Sequence, residues 1–304
     1  MTRKIIYLIN PISGTRKKDR IKELIIQKTR FAGVDFEILP SNANGQYENL
    51  LQIIRKDSIT DVVICGGDGT VNAVVNALQH EPVQFGIIPM GSGNGLARAA
   101  RIPVKTKKAL DLILNGRALS TDAFYINGKF SCMLCGIGFD ATVAHEFAKQ
   151  KTRGLRTYVR ITTREFFKSQ PFPFEIKLRD QVLKTDAFFI SVANSNQFGN
   201  NFTIAPRASL SDGLLDIVIV KKMNKINLLF SIMHHLSGNN HPLPFSEFGN
   251  KKNIVYLQTD QIQIGNPGSA PLHIDGDPAE THLEFNIRII PHCFKLIRPE
   301  AFPS

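Results

Sequence analysis

Three polar, glycine-bearing loops, each set directly after an apolar strand-length run, constrain this chain more than any other feature. Asn10-Pro11-Ile12-Ser13-Gly14 follows Lys4–Ile9. Gly66-Gly67-Asp68-Gly69-Thr70-Val71-Asn72 follows Asp61–Cys65, and Pro89-Met90-Gly91-Ser92-Gly93-Asn94-Gly95 follows Phe85–Ile88. The intervening segments carry helical spacing: helices are predicted over Arg16–Phe31, Gln46–Lys56, Val71–Leu78, Leu96–Ala100 and Lys105–Asn115, the last capped at Thr106, with a further strand over Asp35–Leu39. Strand–helix alternation means parallel strands joined by helical crossovers, an α/β layer. Ligands of such sheets bind outside the carboxyl ends of the strands, where these loops fall.

After about residue 120 the rhythm turns to short strands separated by turns. Asp122–Ile126 and Lys129–Cys132 flank Asn127-Gly128, the signature of a type I′ hairpin. Strands are predicted over Phe174–Leu178, Ala187–Val192, Leu215–Val220, Asn253–Gln258, Gln261–Ile264 and Leu283–Ile290, and helical stretches over Ala141–Ser169 and Lys225–Leu236. The 304 residues, at roughly 150 per domain, therefore divide into an α/β first domain and an antiparallel, β-rich second one.

Composition excludes several classes. The 43% hydrophobic and 21% charged fractions are those of an ordinary globular protein, not of a disordered chain or a coiled coil. No apolar run approaches the ~20 residues that span a bilayer, and Ile5–Ile9 is too short for a signal-peptide core. Four cysteines make no disulfide scaffold. A cytoplasmic location is expected. The excess of 37 Lys+Arg over 26 Asp+Glu, a net +11, calls either for an anionic partner or for a bland explanation with no functional meaning.

The glycine loops suit phosphate. Glycines at a strand-to-helix turn let the backbone approach a ligand, and the following helix start offers unpaired N–H groups. Asp68 cannot hold phosphate alone, but it fits beside a Mg²⁺ or a lysine. Neither G-x-x-x-x-G-K-[ST] nor G-x-G-x-x-G after the first strand occurs, so the P-loop and dinucleotide readings lose support. In the second domain, Ser209-Leu210-Ser211-Asp212-Gly213-Leu214-Leu215-Asp216 reads either as a hairpin turn or as an oxygen-ligand site for Mg²⁺ or Ca²⁺. Asp275-Gly276-Asp277 reads either as a tight turn or as the carboxylate that accepts an alcohol proton during phosphoryl transfer.

In order and spacing, Gly66-Gly67-Asp68-Gly69-Thr70, Gly91-Ser92-Gly93-Asn94, Asn194 to Pro206, Asp212-Gly213-x-Leu215-Asp216 and Asp275-Gly276-Asp277 resemble the diacylglycerol kinase catalytic family, over about Lys4 to Ile297. That family includes soluble bacterial lipid kinases, sphingosine kinases and ceramide kinases. The resemblance implies an NAD kinase/diacylglycerol kinase-like fold: an α/β ATP-binding domain, residues 1–121, rejoined by 291–304, and a β-sandwich lipid domain, residues 122–290. It implies nucleotide contacts from Asn10, Pro11, Ser13, Gly14, Ser41, Gly66, Gly67, Asp68, Gly69, Thr70, Asn72, Gly91, Ser92 and Asn94. It further implies a Mg²⁺ held by Ser209, Asp212 and Leu214, the first and last through their carbonyls. Asp277 stands at the position of the family's proton-accepting glutamate, one methylene shorter, with Asp275 as the alternative. Ala73 replaces the usual glutamate, and Gly-Ser-Gly-Asn-Gly-Leu-Ala leans toward sphingoid-base kinases.

The expected function is thus ATP- and Mg²⁺-dependent phosphorylation of the primary hydroxyl of a membrane lipid, diacylglycerol or a sphingoid base. The alternatives are an NAD kinase and a non-catalytic lipid- or nucleotide-binding regulator. Arg153, Arg156, Arg160, Arg164 and Lys168 make a basic stripe at helical spacing, either a solvated face or one that meets anionic phospholipid at the inner membrane surface. No aromatic platform accompanies it, so nucleic acid is not expected as a partner; a homodimer is left open. Cys132 and Cys135 have zinc-like spacing without partners, and His234, His235 and His241 are expected to be helix-end and loop residues rather than ligands.

Overall fold

A computed structural model of the chain describes residues 2–11, 18–42, 46–150, 155–178, 181–197, 205–224 and 253–300. The chain separates into two units, Met1–Thr121 with His292–Ser304, and Asp122–Pro291. The predicted helix Lys225–Leu236 and His234, His235 and His241 lie outside the described residues.

The first unit runs β1 (Lys4–Ile9), α1 (Lys18–Phe31), β2 (Asp35–Pro40), α2 (Glu48–Asp57), β3 (Asp61–Gly66), α3 (Asp68–Leu78), β4 (Gln84–Pro89), α4 (Gly95–Ala99) and α5 (Thr106–Asn115). Its strands are parallel in the order β2-β1-β3-β4. Runs such as Ile5-Ile6-Tyr7 and Val62-Val63-Ile64 are fully buried, as expected of parallel strands covered on both faces. Each such side chain contributes about 1.5–3 kcal/mol of transfer free energy. Tyr7 carries the one polar tip in its run, and its hydroxyl meets Thr29 Oγ1 on α1 at 2.8 Å. Burial pushes that phenol up to about 12.

Arg3 ties the amino edge of this sheet together. Its Nη1 and Nη2 donate to the carbonyls of Leu114 and Ile113 at the end of α5, at 2.9 and 2.7 Å. Its Nε and Nη2 donate to the fully buried Asp61 carboxylate at 3.0 and 2.6 Å. Thr106 does not cap α5. The N-cap is Lys105, in extended backbone with no side-chain cap bond, and Thr106 is already helical.

The second unit comprises β5 (Arg117–Ile126) from Asp122 onward, β6 (Lys129–Ser131), β7 (Leu134–Gly138), α6 (Phe139–Ala148), α7 (Leu155–Lys168), β8 (Phe172–Leu178), β9 (Gln181–Ala193), β10 (Leu215–Lys221), β11 (Ile254–Thr259), β12 (Gln261–Gly265), β13 (Leu272–Ile274) and β14 (Asp277–Ala279). The start of β15 (Glu284–Arg298) completes it. Strand β9 organises the pairing. Its first half pairs antiparallel with β8, and Phe189–Ala193 lies between β7 and β10. Alternate residues of these strands, among them Phe124, Ile137, Phe174, Ile190, Ile217, Leu257 and Phe285, form one buried core.

The Asn127-Gly128 turn has the positive φ values, 47° and 78°, that its sequence demands. The predicted stretch Ala141–Ser169 is two helices, α6 and α7, with Gly154, a poor helix former, in the sequence between them. The predicted strand Leu283–Ile290 and the segment expected to rejoin the first domain are one strand, β15 (Glu284–Arg298). It pairs antiparallel with β12 through Glu284–Arg288, passes His292 at φ 54°, and pairs parallel with β4 at Lys295 and Leu296.

Candidate functional site

Backbone hydrogen bonds hold the loop positions of the first unit together. Asn10 N–H donates to Cys65 O at 3.0 Å, Ser41 N–H to Ile9 O at 3.0 Å, and Met90 N–H to Gly66 O at 2.8 Å. The ends of all four strands thereby meet at the carboxyl edge of the sheet. Side chains reinforce the join, with Asn10 Nδ2 donating to Thr70 Oγ1 at 2.7 Å. The two glycine loops touch through their backbones: a Cβ on Gly91 would lie 2.6 Å from Gly67 Cα, and one on Gly67 would lie 3.0 Å from Gly91 Cα. Only hydrogen fits between them. This is why both loops carry glycine there.

Asp68, Gly69 and Thr70 form the first turn of α3, which begins three residues before the predicted Val71. The N-cap is Gly67, which makes no side-chain cap bond, and the first-turn amides have no intrahelical acceptor. Asp68 Oδ1 accepts the Leu96 N–H of α4 at 3.4 Å. In the second glycine loop, Asn94 sits at φ 52° and closes a ring with Gly91, its Oδ1 accepting Gly91 N–H at 2.9 Å and its Nδ2 donating to Gly91 O at 2.8 Å. Ser92 and Pro11 are exposed, Ser41 is buried, and Asn72 is half-buried on α3. Ser13 and Gly14 lie outside the described residues.

The acidic motifs of the second unit fall into two groups. Asp275 and Gly276, at φ 52° and 88°, make the two-residue turn between β13 and β14. The tight turn is therefore present at these residues. Asp275 Oδ1 accepts Ser131 Oγ–H at 2.6 Å and Leu134 N–H at 3.0 Å. Asp277 begins β14, opposite Ile274, and is exposed.

The second group surrounds Ser209, Asp212 and Leu214. Asp212 Oδ1 accepts the Leu214 N–H at 3.1 Å, and the fully buried Asp122 accepts the Gly213 N–H at 2.8 Å. Burial, joined by the Asp122 charge, pushes the Asp212 carboxyl above its usual range. Asp216, also fully buried, is pushed up to about 6, mainly by burial. Tyr256 and Gln258 donate to its Oδ1, while its Oδ2 is buried without a hydrogen-bond partner among the described residues. Like charges gathered around an orphaned carboxylate oxygen fit a hard cation with oxygen ligands. Among the described residues no three His, Cys, Asp or Glu side chains could enclose one by themselves, so hydroxyl or carbonyl oxygens would be needed.

Asp122 was not legible as part of this group, because nothing in the sequence around it shows that it meets Gly213, 91 positions away. Cys132 and Cys135 are both buried, and burial pushes the Cys135 thiol well up. A hollow of about 400 Å³ in the first unit is lined by residues including Thr60, Gln84 and Lys295. It borders the amino ends of β3 and β4, away from the glycine loops.

An α/β unit with joined glycine loops and a β-rich unit with acidic turns define a kinase-like class. The diacylglycerol kinase catalytic domain model matches residues 4–126, and that of the YegS C-terminal NAD kinase beta sandwich-like domain matches residues 134–298. The chain belongs to the diacylglycerol kinase catalytic family and is a kinase, with an N-terminal catalytic domain and a C-terminal β-sandwich. Its sequence is 27% identical over 280 residues to "Diacylglycerol kinase" of Bacillus subtilis, covering 90% of this chain and 89% of that one. It is 25% identical over 254 residues to "Probable lipid kinase YegS-like" of Shewanella frigidimarina, covering 81% and 79%. In fold it matches the crystal structure of a diacylglycerol kinase from Bacillus anthracis strain Sterne, with TM-score 0.75 at 20% identity over 98% of this chain and 97% of that one.

Proposed function

We propose that the chain is an ATP- and Mg²⁺-dependent lipid kinase that phosphorylates the primary hydroxyl of a membrane lipid, diacylglycerol or a sphingoid base. The observation that carries this reading is the join of the polar loops at the carboxyl edge of the parallel sheet, with Gly67 against Gly91. Backbone amides brought this close, beside the start of α3, are what a polyphosphate requires. The names of the relatives support a lipid acceptor.

In this reading the loops and Ser41 hold the nucleotide, and Asp68 organises its phosphates. Ser209, Asp212 and Leu214 would hold Mg²⁺, which when bound supplies positive charge that lets neighbouring carboxylates ionise together. Asp277 accepts the proton of the lipid hydroxyl as that oxygen bonds to the transferred phosphorus and ADP leaves. Asp275, whose Oδ1 is already engaged twice, holds the turn in shape. The enzyme works peripherally, at the cytoplasmic face of an anionic membrane. Among the described residues no helix is long and apolar enough to cross a bilayer.

Radiolabelled ATP, offered with diacylglycerol, a sphingoid base, phosphatidylglycerol and NAD, tests the proposal. Label is expected in diacylglycerol or the sphingoid base. Labelling of NAD alone overturns it.

A further inference from the structure

His273 and Asp140 lie together behind the Asp275-Gly276 turn, and the sequence motifs give neither of them a role. His273, on β13, is wholly buried, and Asp140, in the first turn of α6, is 8% exposed. His273 Nδ1 accepts the Gly276 N–H at 3.3 Å. Its Nε2 stands 3.5 Å from Asp140 Oδ2. Asp140 is itself fixed, its Oδ1 accepting the Ala141 N–H at 2.9 Å.

The room for this pair is made by Gly136, the residue opposite His273 in the β7–β13 ladder. A Cβ at Gly136 would lie 1.9 Å from Asp140 Oδ2 and 2.4 Å from His273 Nε2. No residue but glycine leaves the pair its place.

The contacts assign the tautomer. An N–H aimed at Nδ1 needs a lone pair there, so the neutral ring carries its proton on Nε2, toward the Asp140 carboxylate. At 3.5 Å this is an electrostatic contact rather than a hydrogen bond, and burial strengthens it. The other tautomer would set two N–H groups against each other at the turn and two acceptors against each other behind it.

We infer that His273 is a positioning residue for the reaction, acting through the Gly276 amide, and that Asp140 keeps it in the tautomer able to do so. The turn is then pinned from two sides. Ser131 and Leu134 hold the Asp275 carboxylate, and His273 holds the next amide. Together they fix the direction in which the chain presents Asp277. The inference rests on the reading of Asp277 as proton acceptor.

Two near-isosteric variants separate the contacts of the ring. His273→Asn keeps an acceptor near the Nδ1 position and loses the reach to Asp140. His273→Gln keeps a donor near the Nε2 position and leaves the Gly276 N–H without its acceptor. With the lipid substrate, kcat of the Gln variant is expected to fall about tenfold, the worth of one buried hydrogen bond, at unchanged KM for ATP and lipid. The Asn variant is expected to recover to within about threefold of wild type. Unfolding midpoints of both variants identify any loss that is merely structural.

An independent readout needs no variant. Nitrogen-15 spectra of histidine-labelled protein are expected to show His273 protonated on Nε2 and bare on Nδ1; a proton on Nδ1 overturns the inference. So does a Gln variant with wild-type kcat alongside an inactive Asp277→Asn. Full turnover in Asp277→Asn rejects the functional reading, and the inference falls with it.

Discussion

Gly67 and Gly91 meet backbone to backbone, although they belong to loops that follow different strands. The gap a Cβ on Gly91 would leave, 2.6 Å to Gly67 Cα, is too small for any side chain. Gly91→Ala is therefore expected to separate the loops, costing about 1–3 kcal/mol of stability. It should also weaken ATP binding far more than lipid binding. Titration calorimetry with ATP, beside a denaturation curve, checks both; an unchanged ATP affinity would count against these loops as the nucleotide site.

Replacing Asp277 by Asn removes the proposed proton acceptor and keeps its size. Turnover is expected to drop by about 10²–10⁴, the usual contribution of a positioned base, with the unfolding midpoint unchanged. Asp275→Asn should behave differently, lowering stability as well, because its Oδ1 accepts from both Ser131 and Leu134. Steady-state kinetics paired with thermal melts distinguish the two.

Asp216 makes stability depend on pH in a direction opposite to most carboxylates. Its carboxyl is raised from 3.8 to about 6, so between those values the folded state holds a proton that the unfolded state has lost. Its contribution is complete below about pH 3.8 and is lost as pH rises through 6. In buffer free of divalent cations, Asp216→Asn should be more stable than wild type above pH 6, by about 3 kcal/mol, and close to it below pH 3.8. Urea unfolding at both pH values measures the difference.

Arg3 compensates the fully buried Asp61 carboxylate. Arg3→Met leaves that charge with Thr60 and Gln84 as its side-chain donors among the described residues and is expected to cost about 3–5 kcal/mol. The double variant Arg3→Met, Asp61→Leu should recover most of the loss, because the uncompensated charge is gone. A double-mutant cycle by chemical denaturation gives the answer.

The outer face of α7 carries Arg156, Arg160, Arg164 and Lys168, all exposed, beside exposed Val159 and Phe167. Arg164 is engaged with Glu146 and Glu165, so reversing Arg156 and Lys168 makes the sharper test. Binding to vesicles containing phosphatidylglycerol should weaken by about 1 kcal/mol or more per residue, and binding to neutral vesicles should not change. Equal binding by wild type and variant would remove α7 as the docking face.

What was readable in the sequence was local. β1 and β3 announced themselves because a strand buried on both faces is apolar throughout, and Asn127-Gly128 because both residues tolerate positive φ. β7 was missed: Cys135-Gly136-Ile137-Gly138 has glycine where a strand ordinarily shows branched side chains, and Gly136 is there to admit Asp140 and His273. Pairings between distant residues, Asp122 with Gly213 or Asp140 with His273, leave no periodicity to read. The glycine loops were visible as loops, while the contact of Gly67 with Gly91 emerged only from the packing of β3 beside β4.

Strand β15 sets a timetable. Residues up to Thr121 leave the ribosome long before Lys295 and Leu296, the partners of β4. At roughly 5–20 residues per second, the edge of β4 waits on the order of ten seconds or more for its neighbour. Until then Gln84 and Phe85 face the cell as an open strand edge, a template for any passing extended chain. In the cell, therefore, the first half of this protein to be made is the last to be finished.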